Sequence, residues 1–118
     1  MEGKPEGRVD PVSAVDHDGR AVVVHLVGEL DLYNAHQVRE ALLACCADEP
    51  ERLVVDLAAV EFLDSTALGV LVEARSRMAD RRGFVLAAAG REATRALEVS
   101  GLDNHFVLCT TVDEALAS

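Results

Sequence analysis

Three adjacent side chains that carry oxygen, Asp64, Ser65 and Thr66, stand where an apolar run gives way to a helical pattern. Asp64 is a good helix N-cap, because its carboxylate can accept hydrogen bonds from the unpaired N–H groups of the first turn. Ser65 would then be the first helical residue, at a corner where the helix dipole favours an added anion such as phosphate. The same residue types also begin helices that have no such role, so the spacing alone leaves both interpretations open.

Other chemistries fit this sequence less well. A nucleophilic hydrolase would have glycines on both sides of the serine, whereas Ser65 has Leu63 before Asp64 and Ala67 after Thr66. The glycines form no phosphate-binding loop, and the cysteines, histidines and carboxylates lack the spacing of a zinc site. We interpret His25 as a strand histidine, and the remaining histidines as turn or surface residues: His17, His36 and His105. We therefore expect no catalytic residue, no metal and no cofactor.

The composition favours one compact, soluble domain. The chain has 118 residues, of which 50% are hydrophobic, enough for one core. Its formal net charge is −10, which disfavours nucleic-acid binding through phosphate contacts and fits a basic partner surface.

The cysteines and the N-terminus bear on the compartment. Cys45 and Cys46 are adjacent and Cys109 is the third, which is a poor framework for disulfides. We predict mostly buried thiols in a reducing compartment. We see neither a signal peptide nor an apolar run long enough to span a membrane, and so expect a cytoplasmic protein.

The hydrophobic pattern predicts alternating strands and helices. The predicted strands cover residues 11–16, 21–27, 53–55, 84–89 and 106–108. The predicted helices run from an Asn34–Gln37 capping box to about residue 48, from Ser65 to a stop at 81–83, over 91–100, and from a Thr111–Glu114 capping box to 117. This order favours an α/β domain over residues 9–118, with a mostly parallel sheet, an antiparallel edge strand and helices packed against it. Residues 1–8 are predicted to be a flexible tail.

Two blocks of the sequence resemble a known family. Residues 62–70 (Phe-Leu-Asp-Ser-Thr-Ala-Leu-Gly-Val) look like the signature of the STAS domain, the fold of bacterial anti-sigma factor antagonists. The block Gly28-Glu29-Leu30-Asp31 is similar to the segment that ends an early strand in that family. The order and spacing of the blocks also match, and the resemblance covers the chain from about residue 14 to its C-terminus.

The resemblance implies a binding switch and not an enzyme. An unphosphorylated antagonist of this family binds a partner that is both anti-sigma factor and serine kinase, and so releases a sigma factor. The kinase then phosphorylates one serine of the antagonist, which breaks the complex, and a serine phosphatase restores it. On this chain the phosphorylation site falls on Ser65, and the implied partner-binding residues are Asp31, Asp64, Ser65 and Thr66.

Several alternatives remain open at this stage. Many family members have Ser and Gly where this chain has Thr66 and Ala67, so Thr66 is a second candidate acceptor. Asp31 could serve only to prepare the start of the helix that follows Asn34. The chain could also be a STAS subunit of a stressosome-type or lipid-transport complex in which Ser65 is not phosphorylated. The sequence identifies no particular sigma factor, kinase or phosphatase, and no oligomeric state.

Overall fold

The strands and helices follow the predicted order along the chain. The computed structural model describes residues 9–117, so the predicted tail at 1–8 lies outside the described residues. The strands are β1 (Val12–Asp18), β2 (Ala21–Leu30), β3 (Arg52–Leu63), β4 (Phe84–Ala87) and β5 (Val107–Cys109). The α-helices are α1 (Ala35–Ala47), α2 (Ser65–Ser76), α3 (Arg91–Ser100) and α4 (Val112–Ala117), and Arg81–Gly83 is a short 3-10 helix.

The five strands form one sheet in the order β1-β2-β3-β4-β5. Strand β1 pairs with β2 in antiparallel orientation, across the turn at Gly19, whose φ of 62° suits glycine. The other neighbours are parallel, and α1, α2 and α3 make the crossovers between them. The predicted mostly parallel sheet with an antiparallel edge strand is confirmed.

Both faces of the sheet are covered. Alternate residues of β2, such as Val22, Val24 and Leu26, belong to the main core, to which α1, α2 and α3 contribute. Val23 lies on the opposite face, in a smaller cluster that contains Ala115 of α4. Burial on both faces is what a largely parallel sheet requires, and it explains why the β2 sequence is apolar in nearly every position.

Strands β2 and β3 end together and extend beyond β4. Leu30 pairs with Leu63 at the last position of both strands. Strand β4 ends earlier, where Ala87 pairs with Asp56, and α3 packs against β3. The loops that follow β2 and β3 therefore leave the sheet side by side.

Several predicted boundaries are wrong. Strand β3 was predicted over 53–55 and runs over Arg52–Leu63, and β2 continues past residue 27 to Leu30. Helix α2 ends at Ser76 and not at 81–83, which form the separate 3-10 helix. Strand β4 ends at Ala87 because Ala88 adopts a left-handed φ of 60°. Strands β1 and β5 are displaced from their predicted ranges by one or two residues.

The predicted capping box of α4 is half confirmed. The Thr111 hydroxyl accepts a hydrogen bond from the Glu114 N–H at 3.0 Å, as the motif requires. The Glu114 carboxylate, however, accepts from the N–H and hydroxyl of Thr110, one residue earlier than the predicted partner.

Candidate functional site

Ser65 is the first residue of α2, as predicted, and its side chain is exposed. The neighbouring Thr66 is also exposed. Within residues 9–117, neither hydroxyl makes a hydrogen bond with another described residue. Both hydroxyls are therefore accessible to a second protein, so exposure does not distinguish the two candidate acceptors.

Asp64 joins the start of α2 to the loop after β2. Its Oδ1 accepts a hydrogen bond from the Ala67 N–H at 2.9 Å, which confirms the predicted N-cap. Its Oδ2 accepts from the N–H of Leu32 at 3.1 Å, and its own N–H donates to the Leu30 carbonyl at 3.1 Å. One carboxylate thus fixes two loops relative to each other at the Ser65 corner.

Asp31 organises the loop between β2 and α1. Its carboxylate accepts a hydrogen bond from the Tyr33 N–H at 3.0 Å, and its carbonyl accepts from the N–H groups of Asn34 and Ala35. The alternative interpretation, that Asp31 prepares the start of α1, is therefore confirmed as a structural role. Its contact with a partner stays a prediction.

The predicted Asn34–Gln37 capping box is wrong. The side chain of Asn34 is buried and bonds to residues that precede it in the chain. Its Oδ1 accepts a hydrogen bond from the Asp31 N–H at 2.9 Å, and its Nδ2 donates to the Glu29 carbonyl at 2.8 Å. It therefore caps no N–H of α1. Asn34 instead pairs with the backbone at the end of β2 and at Asp31, a role that residue preferences at helix starts do not reveal.

The paired ends of β2 and β3 bring the two sequence blocks together. Because Leu30 and Leu63 are register partners, Asp31 and Asp64 each follow the last residue of neighbouring parallel strands. The hydrogen bond from Leu32 to Asp64 then ties the two loops. The predicted site residues thus lie together at the carboxyl ends of β2 and β3. Asp31 is in the loop after β2, Asp64 is the N-cap of α2, and Ser65 and Thr66 are in its first turn.

Exposed apolar side chains flank this polar corner, and sequence reasoning missed them. Leu32 and Tyr33 are 67% and 73% exposed in the β2–α1 loop. On the other side, Phe62 is 47% exposed at the end of β3. The sequence places all three next to the two matching blocks, but an apolar residue type in itself predicts burial.

His25 lies elsewhere, on the face of the sheet that carries α4. Its Nδ1 is 2.7 Å from Asp56 Oδ2 on β3, and its Nε2 is 2.8 Å from Asp16 Oδ2 on β1. The hydrogen bond to Asp56, together with that to Asp16, outweighs desolvation and raises the pKa of His25 above its usual 6.5. The prediction of a strand histidine is confirmed, and the histidine bridges three strands.

The three cysteines are largely shielded from solvent. Cys45 and Cys46 are buried, Cys109 is half-buried, and burial raises the pKa of the Cys45 and Cys46 thiols. Residues 9–117 contain no cluster of three or more side chains suited to a metal ion. No helix within that range is long and apolar enough to cross a bilayer.

Comparison with known proteins agrees with this geometry. The sequence model of the STAS domain matches residues 13–115. The chain is 38% identical over 105 residues to the anti-sigma-F factor antagonist RsfB of Mycobacterium tuberculosis, covering 89% of this chain and 85% of that protein. It is 33% identical over 90 residues to the anti-sigma-B factor antagonist of Listeria monocytogenes, covering 75% and 79%. Its fold matches the crystal structure of an anti-sigma factor antagonist from Mycobacterium paratuberculosis with a TM-score of 0.82 and 36% identity, over 88% of this chain and 89% of that one. The chain belongs to the STAS domain family of anti-sigma factor antagonists.

Proposed function

We propose that this chain is an anti-sigma factor antagonist controlled by phosphorylation of Ser65. In the unphosphorylated form it binds an anti-sigma factor that is also a serine kinase, and phosphorylation releases that partner. The names of its relatives support the kind of partner. The observation that carries the proposal is the exposed, unengaged Ser65 hydroxyl at the start of α2, directly beside Asp64.

The free domain can accept a phosphate at Ser65 without loss of structure. Its hydroxyl makes no hydrogen bond with another described residue, so a modification there breaks no internal contact. The first turn of α2 contains no acidic residue, and the helix dipole favours an anion at this end. Phosphorylation therefore leaves the fold intact and changes only the surface.

The same phosphate is unfavourable inside a protein interface. It adds roughly −1.5 to −2 of charge at pH 7, next to the carboxylate of Asp64. A charge that is buried without a partner costs about 3–5 kcal/mol. That penalty corresponds to a loss of roughly two to four orders of magnitude in affinity, enough to release a partner without any change of fold.

Asp31, Asp64, Ser65 and Thr66 are the proposed partner-binding residues. Two carboxylates beside two exposed hydroxyls give a polar, acidic surface, which suits a partner with basic groups. A serine phosphatase would need the same exposure of Ser65 to reverse the modification. The chain then acts in the cytoplasm, as a regulatory binding protein that brings no catalytic group of its own.

The test compares wild type, Ser65→Ala and Ser65→Asp as baits in a lysate of the source cells. We expect Ser65→Ala to retain an anti-sigma factor that phosphorylates the wild-type chain with ATP, and Ser65→Asp to lose it. Intact-mass analysis should find one phosphate on wild type and on the matched control Thr66→Ala, and none on Ser65→Ala. If Ser65→Ala retains the phosphate and Thr66→Ala loses it, the phosphorylated residue is Thr66 and not Ser65.

A different result would favour the other STAS role. If all three forms bind the same proteins and none is phosphorylated, Ser65 is only a helix-start residue. The chain would then be better described as a subunit of a stressosome-type or lipid-transport complex.

A further inference from the structure

We propose that the anti-sigma factor is held by a second anchor, a cleft between the end of β3 and α3 that receives a large apolar side chain of that partner. The inference rests on the proposed function and extends its binding surface. The residues that line this β3–α3 cleft are Phe62, Leu63, Glu92, Arg95, Ala96 and Val99.

The topology creates this cleft beside Ser65. Strand β4 ends opposite Asp56, so β3 continues to Leu63 without a strand on that side. Helix α3 packs against β3, and the cleft lies between that helix and the last two residues of the strand. Phe62 and Leu63 directly precede Asp64 and Ser65, so the cleft adjoins the proposed phosphorylation site.

The floor of the cleft is apolar and partly open to solvent. Val99 is 79% exposed, although Ala93 and Leu97 of the same helix are buried in the core. Phe62 is half exposed, and Ala96, which also lines the cleft, is partly buried. Single exposed apolar residues are ordinary, but two large ones lining one cleft beside a recognition site form a patch that a partner can cover.

The rim of the cleft carries one acid and one base. Glu92 and Arg95 are both exposed, and neither forms an ion pair with another described residue. They lie three residues apart on one helix, close enough to neutralise each other when water is excluded. The cleft therefore presents no net charge, which fits an uncharged apolar side chain and leaves charge recognition to the Asp31 and Asp64 side.

A tight complex needs such an anchor. A standard interface buries about 800 Å² on each partner, and most of its affinity comes from a few buried side chains, mainly aromatic residues and arginine, that fill pockets on the partner. The corner formed by Asp31, Asp64, Ser65 and Thr66 is small and polar. The β3–α3 cleft begins one residue before Asp64 and adds apolar area to that of the exposed Leu32 and Tyr33.

The test uses the anti-sigma factor identified by Ser65-dependent capture, purified and titrated by calorimetry. All variants carry Ser65→Ala, so phosphorylation cannot change the affinity during the measurement. We expect Val99→Asp to raise Kd by about tenfold or more. The matched control is Leu108→Asp on β5, an exposed apolar residue (44%) outside the cleft, which should leave Kd within about twofold.

Thermal unfolding of each variant checks that the fold is retained, and sedimentation checks for self-association. The second anchor would be overturned if the Val99→Asp form bound the partner as tightly as its parent does. It would also be overturned if Val99→Asp changed only the self-association of this chain. The proposed function would survive that result if Ser65→Asp still loses the partner. If no form of the chain binds an anti-sigma factor, both the proposed function and the second anchor are wrong.

Discussion

At the scale of single residues, Asp64 does two structural tasks with one carboxylate. It caps α2 through the Ala67 N–H and holds the β2–α1 loop through the Leu32 N–H. We expect Asp64→Ala to lower the free energy of unfolding by about 1–2 kcal/mol, the sum of a lost cap and a lost hydrogen bond. Urea denaturation measures this directly. Asp64→Asn keeps an oxygen acceptor for the cap and should lose less; equal stability of all three proteins would show that neither hydrogen bond matters.

His25 makes a second prediction at this scale, on pH. Hydrogen bonds to Asp56 and Asp16 raise its pKa in the fold above 6.5. The charged imidazole is thus favoured by folding: its contribution to stability is complete below pH 6.5 and is lost as the pH rises through the raised pKa. Urea unfolding between pH 5.5 and 9 should show wild type losing stability with rising pH more steeply than His25→Gln. This account would be contradicted if the stability of the two proteins changed with pH in parallel. It would also be contradicted if NMR gave a pKa of the His25 ring at or below 6.5.

At the scale of elements, the sequence predicted which segments are strands and helices better than where they end. The prediction ended β3 at Val55 because Asp56 interrupts the apolar run. Beyond Asp56, Leu57, Val60 and Leu63 are buried, but two exposed residues separate each from the next. Register shifts at His25–Val27 and Gly28–Glu29, where Gly28 has a φ of 83°, break the period of two. A prediction based on a continuous apolar run, or on strict alternation, therefore stops too early.

The end of α2 was missed for a related reason. Met78 is buried, so the apolar spacing continues beyond the helix. The helix nevertheless ends at Ser76, whose hydroxyl donates to the Glu73 carbonyl at 2.6 Å and competes with helix continuation. Burial of a side chain does not require the backbone that carries it to be helical.

Two glycines give a prediction about how tightly these elements pack. A Cβ added at Gly83, before β4, would lie 2.6 Å from the Glu51 carbonyl oxygen, a backbone atom that cannot easily move. We expect Gly83→Ala to destabilise the fold by about 1–3 kcal/mol. The control is Gly69→Ala within α2, where a Cβ meets nothing within 4 Å and should stabilise by about 0.4–1 kcal/mol. Thermal unfolding distinguishes the two, and a Gly83→Ala protein as stable as wild type would mean that the segment at Glu51 shifts readily.

At the scale of the whole molecule, the proposed site occupies the carboxyl ends of neighbouring parallel strands, where open α/β sheets usually bind ligands. The sequence was sufficient to predict that Asp64 caps α2 and that Ser65 begins it, because the signals for a helix start are local. Asp31 was predicted only from the family resemblance, because its position next to Asp64 depends on the pairing of Leu30 with Leu63. The β3–α3 cleft could not be predicted, because it depends on β3 extending past β4 and on where Val99 lies relative to Phe62.

The net charge of −10 acts over the whole surface and governs how a partner approaches. If the anti-sigma factor presents basic groups to Asp31 and Asp64, raising the salt from 50 to 300 mM should slow its association by roughly tenfold and change dissociation much less. Stopped-flow kinetics with the Ser65→Ala protein measures both rates. Val99→Asp should instead accelerate dissociation, because an apolar anchor acts only after the surfaces have met. An association rate that is indifferent to salt, or that rises with it, would exclude electrostatic attraction and leave the apolar contacts on either side of Ser65 to account for recognition.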